Sequence, residues 1–375
     1  MSSFGLCEAC LSSLVLPDAE GRVSATSVLR AKRVLIRDVP FVDPEAMHRS
    51  SMVRLLGPWG LYAFARWVTR NHPRILMYHR FSSGPLAGFV SEDVFDEQMS
   101  HVARHFHAVT LGALLELFRA SQTPPPNTVV ITVDDGYRDF FEIAFPILQR
   151  HQVPATLFAT TGFVDCALWL WPDKVRWALD HAGKMPEHAR IAGMVIPLST
   201  GDPWASIIDR LLELPDDQKH REVDQLAAAL GVTLPGSAPA GYEAVTWDQL
   251  RALQEAGIEI GGHTHTHPSL TKVAPGRLHA EIDHCKQRLD AELGERARPF
   301  CYPNGQLEDY SEPVRNAVEH AGFVGAVLAY ADGVRHEDLF ALRRHSSSDS
   351  RFQFHKAVSG LEWLGRRLRA TGNPR

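Results

Sequence analysis

The chain has 375 residues, 45% of them hydrophobic, enough for one large domain with attachments or for two domains. A formal net charge of -5 provides no basic field and argues against a nucleic-acid partner. The scattered cysteines Cys7, Cys10, Cys166, Cys285 and Cys301 do not form a disulfide framework, and the pair Cys7 and Cys10 lacks the further ligands of a structural zinc site. No Lys or Arg precedes Leu11 and the apolar run Leu14–Leu16 is short, so no signal peptide is evident. The expected location is the cytoplasm or a membrane surface. Residues 1–72 read as an N-terminal extension, partly disordered, with weak periodicity over the first fifty. Within residues 52–74 an apolar, aromatic run is flanked by Arg54, Arg66, Arg70 and Arg74. It is too short and interrupted to span a bilayer, so it either packs on the main domain or makes a peripheral membrane contact.

The main domain, residues 73–375, opens with a strand at Arg74–Phe81 that carries His79 near its end. Phe95, Met99, Val102 and Phe106 recur at helical spacing. Residues 123–127, TPPPN, turn the chain into Thr128–Val133, six β-branched residues suited to a strand buried on both faces. Another buried strand follows at Ala155–Thr161. Residues 166–244 are the least strand-like, with helical stretches at Trp204–Leu214 and Asp216–Leu230, and read as an insertion closed by a linker at 236–241. Thr246 and Gln249 form a capping box for a helix ending near Gly257. Strands are then expected at Ile258–Ile260, Arg298–Gly305, Phe323–Leu328 and Leu339–Arg344, and helices at Pro275–Leu293 and Arg351–Arg367. The alternation predicts an α/β fold, a distorted β/α barrel of about seven strands with a helical insertion and an N-terminal extension.

Two stretches carry chemistry. The strand Thr128–Val133 stops at the adjacent acids Asp134 and Asp135, then Gly136. Strand C-termini are where α/β folds gather reactive groups, and two acids can divide metal binding and proton transfer. The alternative is a helix-capping Asp beside a solvated one. The run Ile258–Ile260 ends in two glycines, then His263, His265 and His267. One carboxylate and two imidazoles with positions left open suit a hydrolytic metal site; otherwise these are loop histidines.

The sequences TVDDG at 132–136 and HTHTH at 263–267 resemble the T-F-D-D-G and H-[ST]-x-x-H motifs of polysaccharide deacetylases with a NodB homology domain, carbohydrate esterase family 4. The resemblance covers residues 73–360. It implies Asp134 as catalytic base and Asp135, His263 and His267 as ligands of a divalent metal ion, with zinc the expected metal. His265 falls on a variable position and is left out. The implied activity is hydrolysis of N-acetyl groups on an amino-sugar oligomer or polysaccharide. Deformylation, O-deacetylation or a sugar-binding relic are the alternatives. In the insertion, Trp169 and Trp171 either stack on sugar rings or pack a core.

The third family motif, R-x-P-Y-G, is altered. Here Phe300–Gly305 reads FCYPNG, nearer to a subgroup with F-A-Y-P-Y-G, and Cys301 stands where the base-orienting Arg is expected. Asn304 is expected to supply its backbone amide to the oxyanion. Arg344 is the candidate to replace the missing Arg, since its planar fork can grip a carboxylate with two donors. For the general acid the candidates are His345 and His79, although strand alternation turns His345 away from Arg344.

Overall fold

The computed structural model describes residues 60–198, 201–330 and 338–365. The readings of Cys7, Cys10, the first fifty residues and residues 52–59 lie outside the described residues. By compactness the chain divides after Leu61. The unit from Tyr62 onward holds everything below.

Helix α1, Leu61–Val68, leads into strand β1, Arg74–Tyr78, which is buried along its whole length. Helix α2, Glu92–His105, turns Phe95, Met99 and Val102 inward at the spacing read from the sequence. Strand β2, His107–Val109, and helix α3, Leu111–Arg119, follow. Strand β3, Thr128–Val133, is buried at all six positions. Each Val or Ile side chain removed from water there contributes about 1.5–3 kcal/mol. Helix α4, Phe145–His151, and strand β4, Ala155–Ala159, complete the first half.

The insertion is helical, with α5 at Trp171–Asp180, α6 at Trp204–Leu212 and α7 at Asp216–Ala229. It also contains an antiparallel hairpin, His188–Ile191 with Met194–Pro197, that the sequence reading did not anticipate. Ala192 and Gly193 turn it with φ of 47° and 81°, the positive values a two-residue hairpin turn requires. Ala is a poor advertisement for such a turn, which is why the signal was weak. Trp171 packs with Val175, Ile191, Ile207 and Leu211 in a core belonging to the insertion. Trp169 is also buried, so both indoles resolve as packing residues rather than sugar platforms.

Helix α8, Trp247–Glu255, carries the Thr246–Gln249 capping box. Strand β5, Glu259–Gly262, helix α9, Pro275–Leu293, and strand β6, Phe300–Cys301, follow. Then come helix α10, Glu312–His320, and strands β7, Ala326–Leu328, β8, Leu342–Arg343, and β9, His345–Ser346, before helix α11, Arg351–Val358.

The main sheet is parallel throughout, in the order β8-β7-β6-β5-β4-β3-β1-β9, with β2 beside the first half of β3. The two ends of that path, β8 and β9, are consecutive in sequence and separated only by Arg344. The chain pairs with β7 before Arg344 and with β1 after it, so Arg344 sits at the seam of a nearly closed barrel. Counting β8 and β9 as one split strand leaves seven around the barrel, the number expected, with β2 flanking β3 outside that path. The strand C-termini open on one mouth, and α1 lies at the other end, just before β1.

Candidate active site

The chain leaves β3 at Asp134, whose N–H donates to the Tyr78 carbonyl at 3.0 Å. Asp134 is 2% exposed. Arg344 grips it with two donors: Nη1 to Oδ1 at 2.6 Å and Nη2 to Oδ2 at 2.7 Å. The guanidinium is fully buried and held on its other edges by donating to the Leu328 carbonyl at 3.1 Å and to Thr132 Oγ1 at 3.1 Å. It also lies 3.1 Å from Cys301 Sγ. Burial pushes the Asp134 carboxyl up, but the charge and hydrogen bonds of Arg344 outweigh it and leave it below the ordinary carboxylate range. Cys301 therefore does not replace the family Arg chemically. It leaves space in which an Arg from the barrel seam reaches the same carboxylate.

Asp135 stands beside it with φ 75°, a left-handed backbone that side chains rarely adopt. Thr264 and His267 share this conformation, at 65° and 61°. Such residues persist only where the surroundings hold them; here Asp135 and His267 turn toward the same point as His263, while the Thr264 hydroxyl accepts from the His267 amide at 3.0 Å. His263 Nε2 is 3.3 Å and His267 Nε2 3.2 Å from Asp135 Oδ1. That oxygen is buried yet accepts no hydrogen bond. His263 Nδ1 donates to the Cys301 carbonyl at 2.8 Å, which leaves the Nε2 lone pair free. His267 is buried, and burial pushes its pKa down toward the neutral, ligating form. Burial acts on the Asp135 carboxyl in the opposite sense, but the two imidazoles hold it well below the usual range. A buried carboxylate oxygen without a donor, faced by two imidazole nitrogens, is a donor set that fits a divalent cation.

The loop between the histidines is held by Glu281 of α9. Its carboxylate accepts from the Thr266 amide at 2.8 Å and the Thr266 hydroxyl at 2.7 Å, and the Glu281 carbonyl accepts from the His265 amide at 3.1 Å. The His265 ring turns outward, with Nδ1 2.9 Å from the Thr161 hydroxyl and the ring stacked 4.2 Å from His284. Sequence reasoning missed Glu281, because nothing local marks a helix residue that reaches back to a loop 15 positions earlier.

His79 follows β1 at the mouth, half exposed, with Nε2 3.7 Å from Asp134 Oδ2. His345 is not brought to the site. It is buried with Nδ1 3.2 Å from Glu362, because the residue after Arg344 on an extended segment faces the opposite way. The expectation of a site role for His345 is corrected on this geometry. Asn304 lies on the loop after β6 with φ 60°; its side-chain amide nitrogen is buried without a partner, and no described residue accepts from its backbone N–H.

A parallel β/α barrel with an acid pair and two histidines gathered at its mouth has the make-up of a hydrolase. The chain belongs to the polysaccharide deacetylase family, whose model matches residues 121–193 and 209–326. It is thus an enzyme of carbohydrate metabolism. Among its relatives is YxkH of Bacillus subtilis strain 168, a provisional polysaccharide deacetylase, 21% identical over 283 residues, which are 74% of this chain and 73% of that one. The poly-beta-1,6-N-acetyl-D-glucosamine N-deacetylase of Escherichia coli K12 is 37% identical over 60 residues, 16% of this chain and 9% of that one. The deacetylase PplD of Streptococcus pyogenes, solved in complex with acetate, shares the fold with a TM-score of 0.52 at 16% identity, covering 79% of this chain and 97% of that one.

Proposed function

We propose that this enzyme removes N-acetyl groups from the amino sugars of a polysaccharide or its oligomers, cleaving carbon–nitrogen bonds that are not peptide bonds. The observation that carries the reading is Asp134: a buried carboxylate, fixed by two donors from Arg344, beside an acid and two imidazoles that converge on one point. The short match to the Escherichia coli N-deacetylase supports the amide over the ester as the bond cleaved. Residues 73–375 form the deacetylase domain in this reading, with 166–244 as its insertion and the preceding residues as an extension.

Asp135, His263 and His267 hold a divalent ion, and one carboxylate with two imidazoles favours zinc. When bound, that ion supplies polarisation of the amide carbonyl and lowers the pKa of water toward about 7. Asp134 takes the proton of the attacking water. Oδ2 accepts from both Arg344 and the Cys301 thiol, whereas Oδ1 has one lone pair engaged by Arg344 and one left to accept. Its lowered pKa keeps it ionised for that role at neutral pH. The Asn304 backbone N–H donates to the oxygen that gains charge as the carbonyl becomes tetrahedral; one such donor is worth about 3 kcal/mol. His79, half exposed and 3.7 Å from Asp134, delivers a proton to the departing amine.

The test is acetate release from N-acetylglucosamine oligomers by zinc-loaded protein and by Asp134→Asn. The variant is expected to keep its metal and to lose turnover by about 10²–10⁴-fold. Near-normal acetate release by the metal-loaded variant sinks the assignment of Asp134. Metal-loaded wild type that frees acetate only from O-acetylated sugars sinks the N-deacetylase reading.

A further inference from the structure

Helix α1 is amphipathic in the reverse of the usual sense. Ala65 and the following Thr69 face inward, where Thr69 Oγ1 donates to the carbonyls of Ala65 at 2.8 Å and Ser359 at 3.1 Å. The outward stripe is apolar: Phe64 is 58% exposed, Trp67 61% and Val68 39%. A helix that packs on a domain normally buries its apolar face and shows water its polar one. A contiguous outward apolar stripe is instead a mark of a contact surface.

The cations around the stripe narrow the partner. Arg70 lies over the Trp67 ring at 5.2 Å and donates to the Trp67 carbonyl at 2.8 Å. Arg66 lies 5.7 Å from the Phe106 ring, and its charge acts on His101, His105 and Arg74. Arg104, at the end of α2, acts on the same two histidines. Arg104 spends its donors on Ser100, on the carbonyl and the hydroxyl, both at 3.0 Å. Among the described residues no carboxylate forms an ion pair with Arg66, Arg70 or Arg104. Exposed Trp and Phe rimmed by Arg without an ion-pair partner among the described residues match the boundary between lipid headgroups and acyl chains, with the rings inserted and the guanidinium groups at the phosphates. No helix among the described residues is long and apolar enough to cross a membrane.

The geometry points to α1 and the end of α2 as a docking face for an anionic lipid bilayer. The face lies at the opposite end of the barrel from the catalytic mouth. Arg74 begins β1 just past α1, whereas Tyr78 ends it beside His79 and Asp134. The five residues of β1 set the two ends about 13–17 Å apart at the strand rise per residue. Docking in this way turns the mouth away from the lipid and toward the aqueous side. This inference stands apart from the assignment of the reaction.

The experiment is co-sedimentation of the full-length protein with vesicles of phosphatidylglycerol mixed with phosphatidylcholine, against phosphatidylcholine alone. Binding is expected to the anionic vesicles and to weaken with salt. The variant Phe64→Ser with Trp67→Ser is expected to lower the partition coefficient on the order of a hundredfold, given two aromatic side chains removed from lipid. Arg70→Gln and Arg104→Gln are expected to lower it about fivefold each. All these positions are solvent-facing or at the helix end, and circular dichroism with thermal melting reports that each variant is folded. Three results overturn the inference: wild type that stays in the supernatant, binding unchanged in the aromatic variant, or a vesicle-free dimer that the aromatic variant abolishes. The last assigns the stripe to a second copy of the chain.

Discussion

At the barrel mouth the buried set is charged: Asp134, Asp135, His263, His267 and Arg344. In the insertion the buried set is apolar, Trp171, Val175, Ile207, Leu211 and Val223 among them, with Lys219 and Asp216 paired at 2.8 Å as the main exception. The backbones differ too. The mouth holds Asp135, Thr264 and His267 in left-handed conformations, each an expense of order 1–3 kcal/mol that only surrounding structure sustains. The insertion spends its burial on packing. Damage at the mouth should therefore appear in chemistry and metal binding, and damage in the insertion should appear in stability.

The largest effect is expected from Asp135→Ala or His263→Ala. Each removes a proposed ligand, and both metal content by elemental analysis and acetate release should fall to background. Retention of full metal occupancy in either variant would break the contrast at its strongest point.

Arg344 is next. Arg344→Ala leaves Asp134 buried without its partner, which typically costs about 3–5 kcal/mol of stability. Turnover should fall more than substrate affinity. Because Arg344 lowers the Asp134 pKa against the upward push of burial, its loss should move the acid limb of the rate profile to higher pH. In wild type the stability supplied by the pair is present above the ordinary carboxylate pKa and is lost as pH falls through the depressed value. Adding Cys301→Arg to Arg344→Ala should recover part of the turnover, since position 301 touches the same carboxylate at 3.5 Å. A double variant as slow as the single one would show that the seam position itself is required.

Leu211→Ala, in the core of the insertion, should destabilise by about 2–5 kcal/mol in denaturant titrations and leave metal affinity unchanged. A matching loss of metal affinity would mean that the two regions are coupled. The smallest effect is expected from Thr246→Ala, which deletes the cap of α8 and should cost about 1 kcal/mol without altering turnover.

Much of the barrel was legible because its signals are local. The β-branched run Thr128–Val133, the capping box at Thr246 and the inward stripe of α2 follow from spacing alone. The acid pair and the histidine run stood at predicted strand ends, where the structure has them. What escaped was long-range or weakly encoded. The split of the last strand at Arg344 depends on which neighbours pair on each side. Alternation had already turned His345 away from Arg344, and only its partner Glu362, 17 residues on, showed where it went. The hairpin in the insertion is four residues a side around Ala192 and Gly193, too short for alternation to assert itself. The burial of Trp171 depends on helices further along the insertion and that of Trp169 on the segment around Pro235 and Tyr242, neither of which indole chemistry foretells.

The seam at Arg344 has a temporal side. Asp134 and Arg344 lie 210 positions apart, while Asp135, His263 and His267 are all made before residue 344. Chains fold from the N-terminus as they are synthesised, at about 5–20 residues per second. A nascent chain can thus gather its proposed metal ligands before it has the guanidinium that aims the proposed base. Hydrolytic competence waits for the closing strand, so turnover is a readout of completed synthesis as well as of chemistry. A ribosome-stalled chain ending before position 344 should take up metal and release no acetate.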